Sequence, residues 1–379
     1  MHIFFFKVSS LKGAHMSLTS FFSQRKTQLP TASLFVLLLF SLSPSGIAIR
    51  TTFHSALIDT DITYSVALPS DYEQKIAQGH RYPVVYLLHC AGCTDSTWLG
   101  HYFNGIFPAV DSVIDSVDLI AAAPYNGPGF SWWIDSPVKP KSFFSSFLVR
   151  EFKHLIDSLY ATLPRRESSG IAGHSMGGFG ALFNCGAHPD SFSAAYSCKG
   201  LLNVLQHHGE FGLDEVLGGQ DTSITNWHAV DIIENARKFA EANAAGKAVR
   251  IIFYSGPNDW FQAENRLFDT TLTDLSVPHE YFENEEDHGL IWASRMFEVL
   301  KWFDTVLVHQ RTGAVKNPGG HRFRTTYSTH ASSGKQVMWD LSGRVIRPGK
   351  AAAGIVIELL DPSLGRNGRF VCRFLEKKE

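Results

Sequence analysis

The residues best placed to do chemistry lie in Gly173-His174-Ser175-Met176-Gly177-Gly178-Phe179-Gly180. The stretch contains a G-x-S-x-G spacing, preceded by the short run Ser168–His174 and followed by a helical stretch, Gly177–His188. A serine hydroxyl is a poor nucleophile unless it is held exposed beside a base. A sharp strand-to-helix turn does this, and glycines on both flanks relieve the crowding such a turn creates. The helix N-terminus behind Ser175 also favours negative charge developing there. A glycine-rich packing turn is the competing reading; the strand–turn–helix context favours a nucleophile.

Such a serine needs a base, and the base needs an orienting acid. On sheets of this kind the chain order is serine, acid, histidine. Asp259 follows the apolar run Val249–Tyr254 through Ser255-Gly256-Pro257-Asn258. That puts it at a strand's C-terminal end, where sites of open α/β sheets gather. His288 follows the next strand-like run, His279–Asn284, and precedes the amphipathic stretch Gly289–His309. His288 is expected to take the serine proton and Asp259 to hold its tautomer. Asp287 is a rival acid, but a side chain adjacent to its own histidine does not usually reach round to the ring. Asp269 and Asp274 fall in a helical pattern and read as solvated face.

A developing oxyanion needs two donors. One is expected from the backbone N–H of Met176. The other should come from the loop after the apolar run Tyr82–His89, namely His89-Cys90-Ala91-Gly92-Cys93, with Ala91 as the donor. His89 reads as a structural residue that orients this loop. Cys90 and Cys93 form a C-x-x-C, but no thioredoxin-like context and no second ligand pair accompany it. Five dispersed cysteines do not make a disulfide scaffold, and none of the 17 histidines shows the H-x-x-x-H spacing of a zinc helix. The chemistry requires no metal or cofactor.

The elements that must position these groups alternate. Strand-like runs at 82–89, 118–124, 168–174, 193–197, 249–254 and 279–284 are separated by helical stretches at 144–161, 177–188 and 289–309. Continuous apolar strands mean burial on both faces, so the expected class is α/β: a mostly parallel sheet flanked by helices. A strand pair at 51–57 and 62–68 leads into it. Residues 200–248 break the rhythm and are expected to shape the mouth of a site.

Outside this body, residues 32–42 form an uncharged apolar run preceded by Arg25 and Lys26 and followed by Gly46-Ile47-Ala48. This is the order of a secretory signal, and the run is short for a bilayer span. The expected organisation is a signal peptide over 1–48, a hydrolase domain over 49–310, a Gly/Ser/Thr-rich linker over 311–335 and a small all-β module over 336–379. A secreted or cell-surface location follows, with membrane contact only during export. The net charge of −2 over 379 residues offers no basic stripe for nucleic acid.

At the level of motifs, residues 82–98 (YPVVYLLHCAGCTDSTW), 131–136 (SWWIDS), 171–190 (IAGHSMGGFGALFNCGAHPD) and 250–308 resemble an esterase family of the α/β-hydrolase superfamily. Its relatives include esterase-D-type S-formylglutathione hydrolases, bacterial acetyl and feruloyl esterases, and mycolyltransferase antigens. The resemblance covers roughly 52–308. It implies catalytic Ser175, Asp259 and His288 with oxyanion donors at Met176 and Ala91. Many members have a glycine where this chain has Cys90. The tail, through Trp339-Asp340-Leu341-Ser342-Gly343-Arg344-Val345 and Gly354-Ile355-Val356, resembles type IX secretion sorting domains, which implies secretion machinery as a partner.

Trp98, Trp132, Trp133 and Trp260 fall in loops expected near the site, and exposed indoles would suit sugar or feruloyl rings. Together with export, this gives the expectation of an exported serine carboxylesterase acting on acetyl or feruloyl esters of plant polysaccharides. An acyltransferase to sugar or lipid alcohols, a lipid esterase and an S-formylglutathione-type thioesterase would use the same triad.

Overall fold

A computed structural model describes residues 46–98, 110–127, 129–284, 287–289 and 293–310, with four short strands beyond residue 337. The signal run and the linker lie outside the described residues. The chain divides into two compact units, Met1–Thr312 and Gly313–Glu379.

Eight strands build the first unit's sheet: β1 (Ile47–Ser55), β2 (Thr60–Leu68), β3 (Val84–Leu88), β4 (Ile120–Pro124), β5 (Ser169–His174), β6 (Ala194–Cys198), β7 (Arg250–Ser255) and β8 (His279–Glu283). Their spatial order is β1-β2-β4-β3-β5-β6-β7-β8. The β1–β2 and β2–β4 pairs are antiparallel; every pair from β4 to β8 is parallel. β1 begins at Ile47, which pairs with Leu68, and Ala48 pairs with Ala67. Ile47 and Ala48, the last two residues of the run read as a signal, thus belong to the ladder with β2.

The central strands are apolar throughout because both faces are covered. Along β3, Val84, Tyr86 and Leu88 enter one core while Val85 and Leu87 enter the other. The first core includes residues of the helices Met176–Ala187, Arg237–Ala244 and Gln262–Asp274; the second includes residues of Ala293–Val306. The stretch 144–159 is helical, with a wider π turn over Phe147–Phe152. The segment between β6 and β7 holds the helices Leu213–Leu217, Gln220–Val230 and Arg237–Ala244.

β4 and β5 flank β3 on opposite sides, so the chain reverses its direction of travel across the sheet there. Ligand sites of open α/β sheets sit at such a switch, beyond the strands' C-terminal ends. The second unit holds two antiparallel pairs, β9 (Met338–Trp339) with β10 (Val345–Ile346) and β11 (Gly354–Glu358) with β12 (Val371–Leu375).

Candidate active site

Ser175 stands between β5 and the helix Met176–Ala187 with φ 56° and ψ −117°. A residue with a side chain takes such a backbone only where its surroundings force it. Its N–H donates to the Cys198 carbonyl at 2.9 Å and its carbonyl accepts from Phe179 at 3.0 Å. The motif's glycines let the turn close. A Cβ on Gly173 would lie 2.2 Å from the Gly177 carbonyl oxygen, and one on Gly177 would lie 2.1 Å from that of Leu88. The start of the helix therefore packs backbone to backbone on the end of β3.

His288 and Asp259 meet this serine. Ser175 Oγ is 3.0 Å from His288 Nε2, and His288 Nδ1 is 3.0 Å from Asp259 Oδ2. A carboxylate accepts, so Nδ1 carries the proton and Nε2 faces the serine hydroxyl as an acceptor. The Asp259 carboxylate is fully buried and its other oxygen accepts the Phe261 N–H at 2.8 Å. Asp287 instead turns its carboxylate onto the N–H of Gly289 at 2.9 Å. Three residues from three loops thus converge at the C-terminal ends of β5, β7 and β8.

Ala91 and Met176 follow the neighbouring strands β3 and β5, whose Leu88 and Gly173 are in register. The loop carrying Ala91 is closed by a Cys90–Cys93 disulfide and turns at Gly92 with φ 70°. The C-x-x-C is therefore a local brace within this loop. His89 is buried, and the Asn126 N–H donates to its Nε2 at 3.3 Å. Its Nδ1 then donates to the Cys90 carbonyl at 2.8 Å. Burial, opposed by that hydrogen bond, pushes its pKa from 6.5 down to about 4, so the ring stays neutral and orients the loop. Beyond the loop, the buried Asp95 accepts from Arg50 Nε at 2.8 Å, Arg50 Nη2 at 3.0 Å and Ser65 at 2.6 Å.

The tryptophans divide. Trp98, Trp132 and Trp133 are no more than 2% exposed, so they are core residues and not the open stacking surfaces expected. Trp133 lies against Gly180, where an added Cβ would come within 2.6 Å of it, and donates to the His89 carbonyl at 3.2 Å. Trp132 donates to the Phe211 carbonyl at 3.1 Å and packs edge-on against Phe179. Trp98 belongs to the core on the sheet's other face. Their type pointed to rings for a ligand, but packing into the two cores buries them. Trp260 differs: it is 71% exposed, with its indole stacked on the His288 ring at 4.5 Å and 15°.

Sequence reasoning missed three neighbours of His288. Phe261 meets its ring edge-on at 4.9 Å. His174 Nε2 lies 3.0 Å from the His288 carbonyl oxygen, and Lys199 Nζ lies 2.5 Å from that of Asp287. Only the place of His174 beside Ser175 could have hinted at this.

Comparison with known proteins agrees with this architecture. A structure described as a ferulic acid esterase superposes with a TM-score of 0.55 and 22% identity, covering 69% of this chain and 98% of its own. The S-formylglutathione hydrolase of Agrobacterium tumefaciens gives 0.57 and 19%, covering 70% and 97%. The fluorophosphonate-binding serine hydrolase F of Staphylococcus aureus gives 0.58 and 18%, covering 69% and 99%. These likenesses show an α/β-hydrolase fold. In sequence, a curated esterase of Mycobacterium tuberculosis is 25% identical over 275 residues, 65% of this chain and 56% of its own, in each of two strains. The chain thus spans about half the length of the curated relatives it matches. The family described as "Putative esterase" matches residues 55–274, more than half of this chain. With its mostly parallel eight-stranded sheet and the convergence of Ser175, His288 and Asp259 on it, the chain belongs to this esterase family of α/β-hydrolases.

Proposed function

We propose that the chain is an exported serine carboxylesterase acting through a Ser175–His288–Asp259 triad. The observation that carries the reading is the unbroken relay from Ser175 Oγ to His288 Nε2 and from His288 Nδ1 to Asp259, each link 3.0 Å, on a strained elbow. In the first step Ser175 Oγ attacks the ester carbonyl while its proton passes to His288 Nε2. The tetrahedral oxyanion is met by the backbone N–H groups of Met176 and Ala91, each worth roughly 3–4 kcal/mol of transition-state stabilisation. His288 then gives that proton to the departing alcohol, leaving an acyl-enzyme. Water attacks the acyl carbon, loses a proton to His288, and Ser175 leaves with that proton as the acid is released.

For the substrate, the reading is an acetyl or feruloyl ester on a plant polysaccharide. The exposed indole of Trp260 beside the base gives a flat apolar surface for a sugar or aryl ring. The likeness to a protein described as a ferulic acid esterase points the same way. The apolar run at 32–42, the basic pair before it and the small residues after it support export, and the β-rich tail supports recognition by secretion machinery.

The test compares hydrolysis of acetyl, butyryl and feruloyl esters by wild type and Ser175→Ala. Removing the nucleophile is expected to cost on the order of 10⁶ in kcat. Equal activity of the two proteins would end the triad reading; butyryl preferred over both others would end the assigned acyl class.

A further inference from the structure

The triad's base sits in a weak place. β8 ends the sheet, and its side chains are only half-buried or exposed. The strand extends as far as the bond from the Asn284 N–H to the Ser255 carbonyl at 3.1 Å, and His288 lies four residues further on. Such a loop has little sheet to fix it, yet a base displaced by about 1 Å can cost a hundredfold in rate. Two buried side chains that the two-step chemistry leaves unused meet the backbone at this point. Lys199 is fully buried just beyond β6, in a left-handed conformation with φ 52°. Its own N–H donates to the Tyr254 carbonyl at 2.8 Å, and its ammonium lies 5.7 Å from the Tyr254 ring centre and 2.5 Å from the Asp287 carbonyl oxygen. His174, 4% exposed and directly before Ser175, places Nε2 3.0 Å from the His288 carbonyl oxygen. A carbonyl only accepts, so both side chains donate.

We infer that Lys199 and His174 are positioning residues that clamp the successive carbonyls of Asp287 and His288 and so hold the His288 ring within reach of Ser175. The inference rests on the triad reading above. The clamp closes a small circuit: Ser175 Oγ meets the His288 ring, while the residue before Ser175 holds the His288 backbone. Distance and rotation are then fixed together, which a single hydrogen bond cannot do. Burial first, and the nearby His288 and Lys199 second, hold the His174 pKa well below the ordinary histidine value. A neutral ring has one N–H to give, and the carbonyl takes it. Burying an ammonium is costly unless it is well met, and here carbonyl and aromatic face meet it.

The experiment uses the whole chain and an aryl acetate, with Lys199→Met, Lys199→Arg, His174→Leu, His174→Gln and Ser175→Ala beside wild type. It reads kcat and KM, the thermal midpoint, and the low-field proton resonance of the His288–Asp259 hydrogen bond. Lys199→Met and His174→Leu are expected to lose about 10- to 100-fold in kcat, with KM within about threefold, and to shift or broaden that resonance. Lys199→Arg and His174→Gln restore a donor and should recover to within a few-fold of wild type. If both donor-less variants keep wild-type kcat and resonance while Ser175→Ala is dead, the clamp is wrong and the triad stands. If Ser175→Ala is as active as wild type, the triad reading itself has failed. Should Lys199→Met not fold, the His174 pair decides, and equal kcat for leucine and glutamine overturns the clamp.

Discussion

The two halves of the active site are fixed by opposite means. The serine half is held by what is missing: at Gly173 and Gly177 an added Cβ would lie within 2.2 Å of backbone atoms, so the turn closes main chain against main chain. The histidine half is held by what is added. Asp287 and His288 lie beyond an edge strand, and side chains from β5, from just beyond β6 and from the Asp259 loop reach them. A position set by backbone contact cannot yield without moving a strand. A position set by side chains can be adjusted one contact at a time.

The comparison breaks most directly at its glycines. Gly177→Ala must push its methyl group into the Leu88 carbonyl, 2.1 Å away, and the neighbour is backbone that cannot swing aside. Overpacking of this kind costs about 3 kcal/mol or more, and activity should fall with the fold. Gly289→Ala, in the histidine half, places its methyl group 3.6 Å from Asp287 Oδ1, an ordinary contact and the nearest among the described residues. Thermal melts and ester hydrolysis on the two variants should differ sharply. Comparable damage from both would end the distinction.

That asymmetry also explains what the sequence could show. The elbow at Ser175 was legible because its constraint leaves glycines at fixed offsets, and the places of Asp259 and His288 followed from chain order after two strand-like runs. The pair β1–β2 was legible as two strand-like runs ahead of the parallel strands. Lys199 and His174 were not, because a residue that clamps a carbonyl looks in sequence like any lysine or histidine. The tryptophans failed for a related reason. Residue type gives a large flat ring, while exposure depends on what folds over it: Gly180 admits Trp133 to the core, while Trp260 stays 71% exposed. Likewise C-x-x-C spacing fits a brace, a redox pair or half a metal site, and only the surrounding fold selects the brace.

Trp260 offers a smaller perturbation of the histidine half. Its indole covers one face of His288 at 4.5 Å while Phe261 closes another side at 4.9 Å. An aromatic face over an imidazolium stabilises the charge that His288 carries mid-reaction, a contribution of about 0.5–1 kcal/mol at so exposed a site. Trp260→Ala should therefore lower kcat by about two- to fivefold on a small acetate, while Trp260→Phe retains most of it. A change in KM alone would assign the indole to substrate contact only. Reduction probes the serine half in turn. A dithiol converting Cys90–Cys93 to two thiols frees the loop bearing Ala91, and kcat should fall by no more than about threefold, since His89 still holds that loop. Cys90→Ser with Cys93→Ser should match the reduced enzyme and no longer respond to the reductant.

The smallest expected effect lies at the opposite end of the sheet and asks whether either half of the site feels it. Just before β4, Asp118 accepts from Lys75 at 3.2 Å and pairs with His80 at 3.1 Å and His309 at 3.6 Å. Partial burial favours its neutral form, but the nearby His309 ring and the Lys75 ammonium outweigh this and hold its pKa near 2 instead of 3.8. A carboxylate with a lowered value lends stability that is complete above about pH 4 and fades as pH falls toward 2. His309 is shifted the other way, raised chiefly by the Asp118 carboxylate beside it. Its share is complete below 6.5 and fades as pH rises through its folded value. The network is therefore strongest in the weakly acidic range between these limits. Asp118→Asn should flatten the acid limb of a melting-temperature profile between pH 4 and 2 and lower the midpoint near pH 5.5 by about 1–3 °C, because the groups are partly exposed and screened. The site lies at the other ends of the strands, so kcat at 25 °C should not change. A drop in kcat with an unchanged melt would mean that the histidine half is coupled through the sheet to this network, and that its side-chain clamp is looser than its contacts imply.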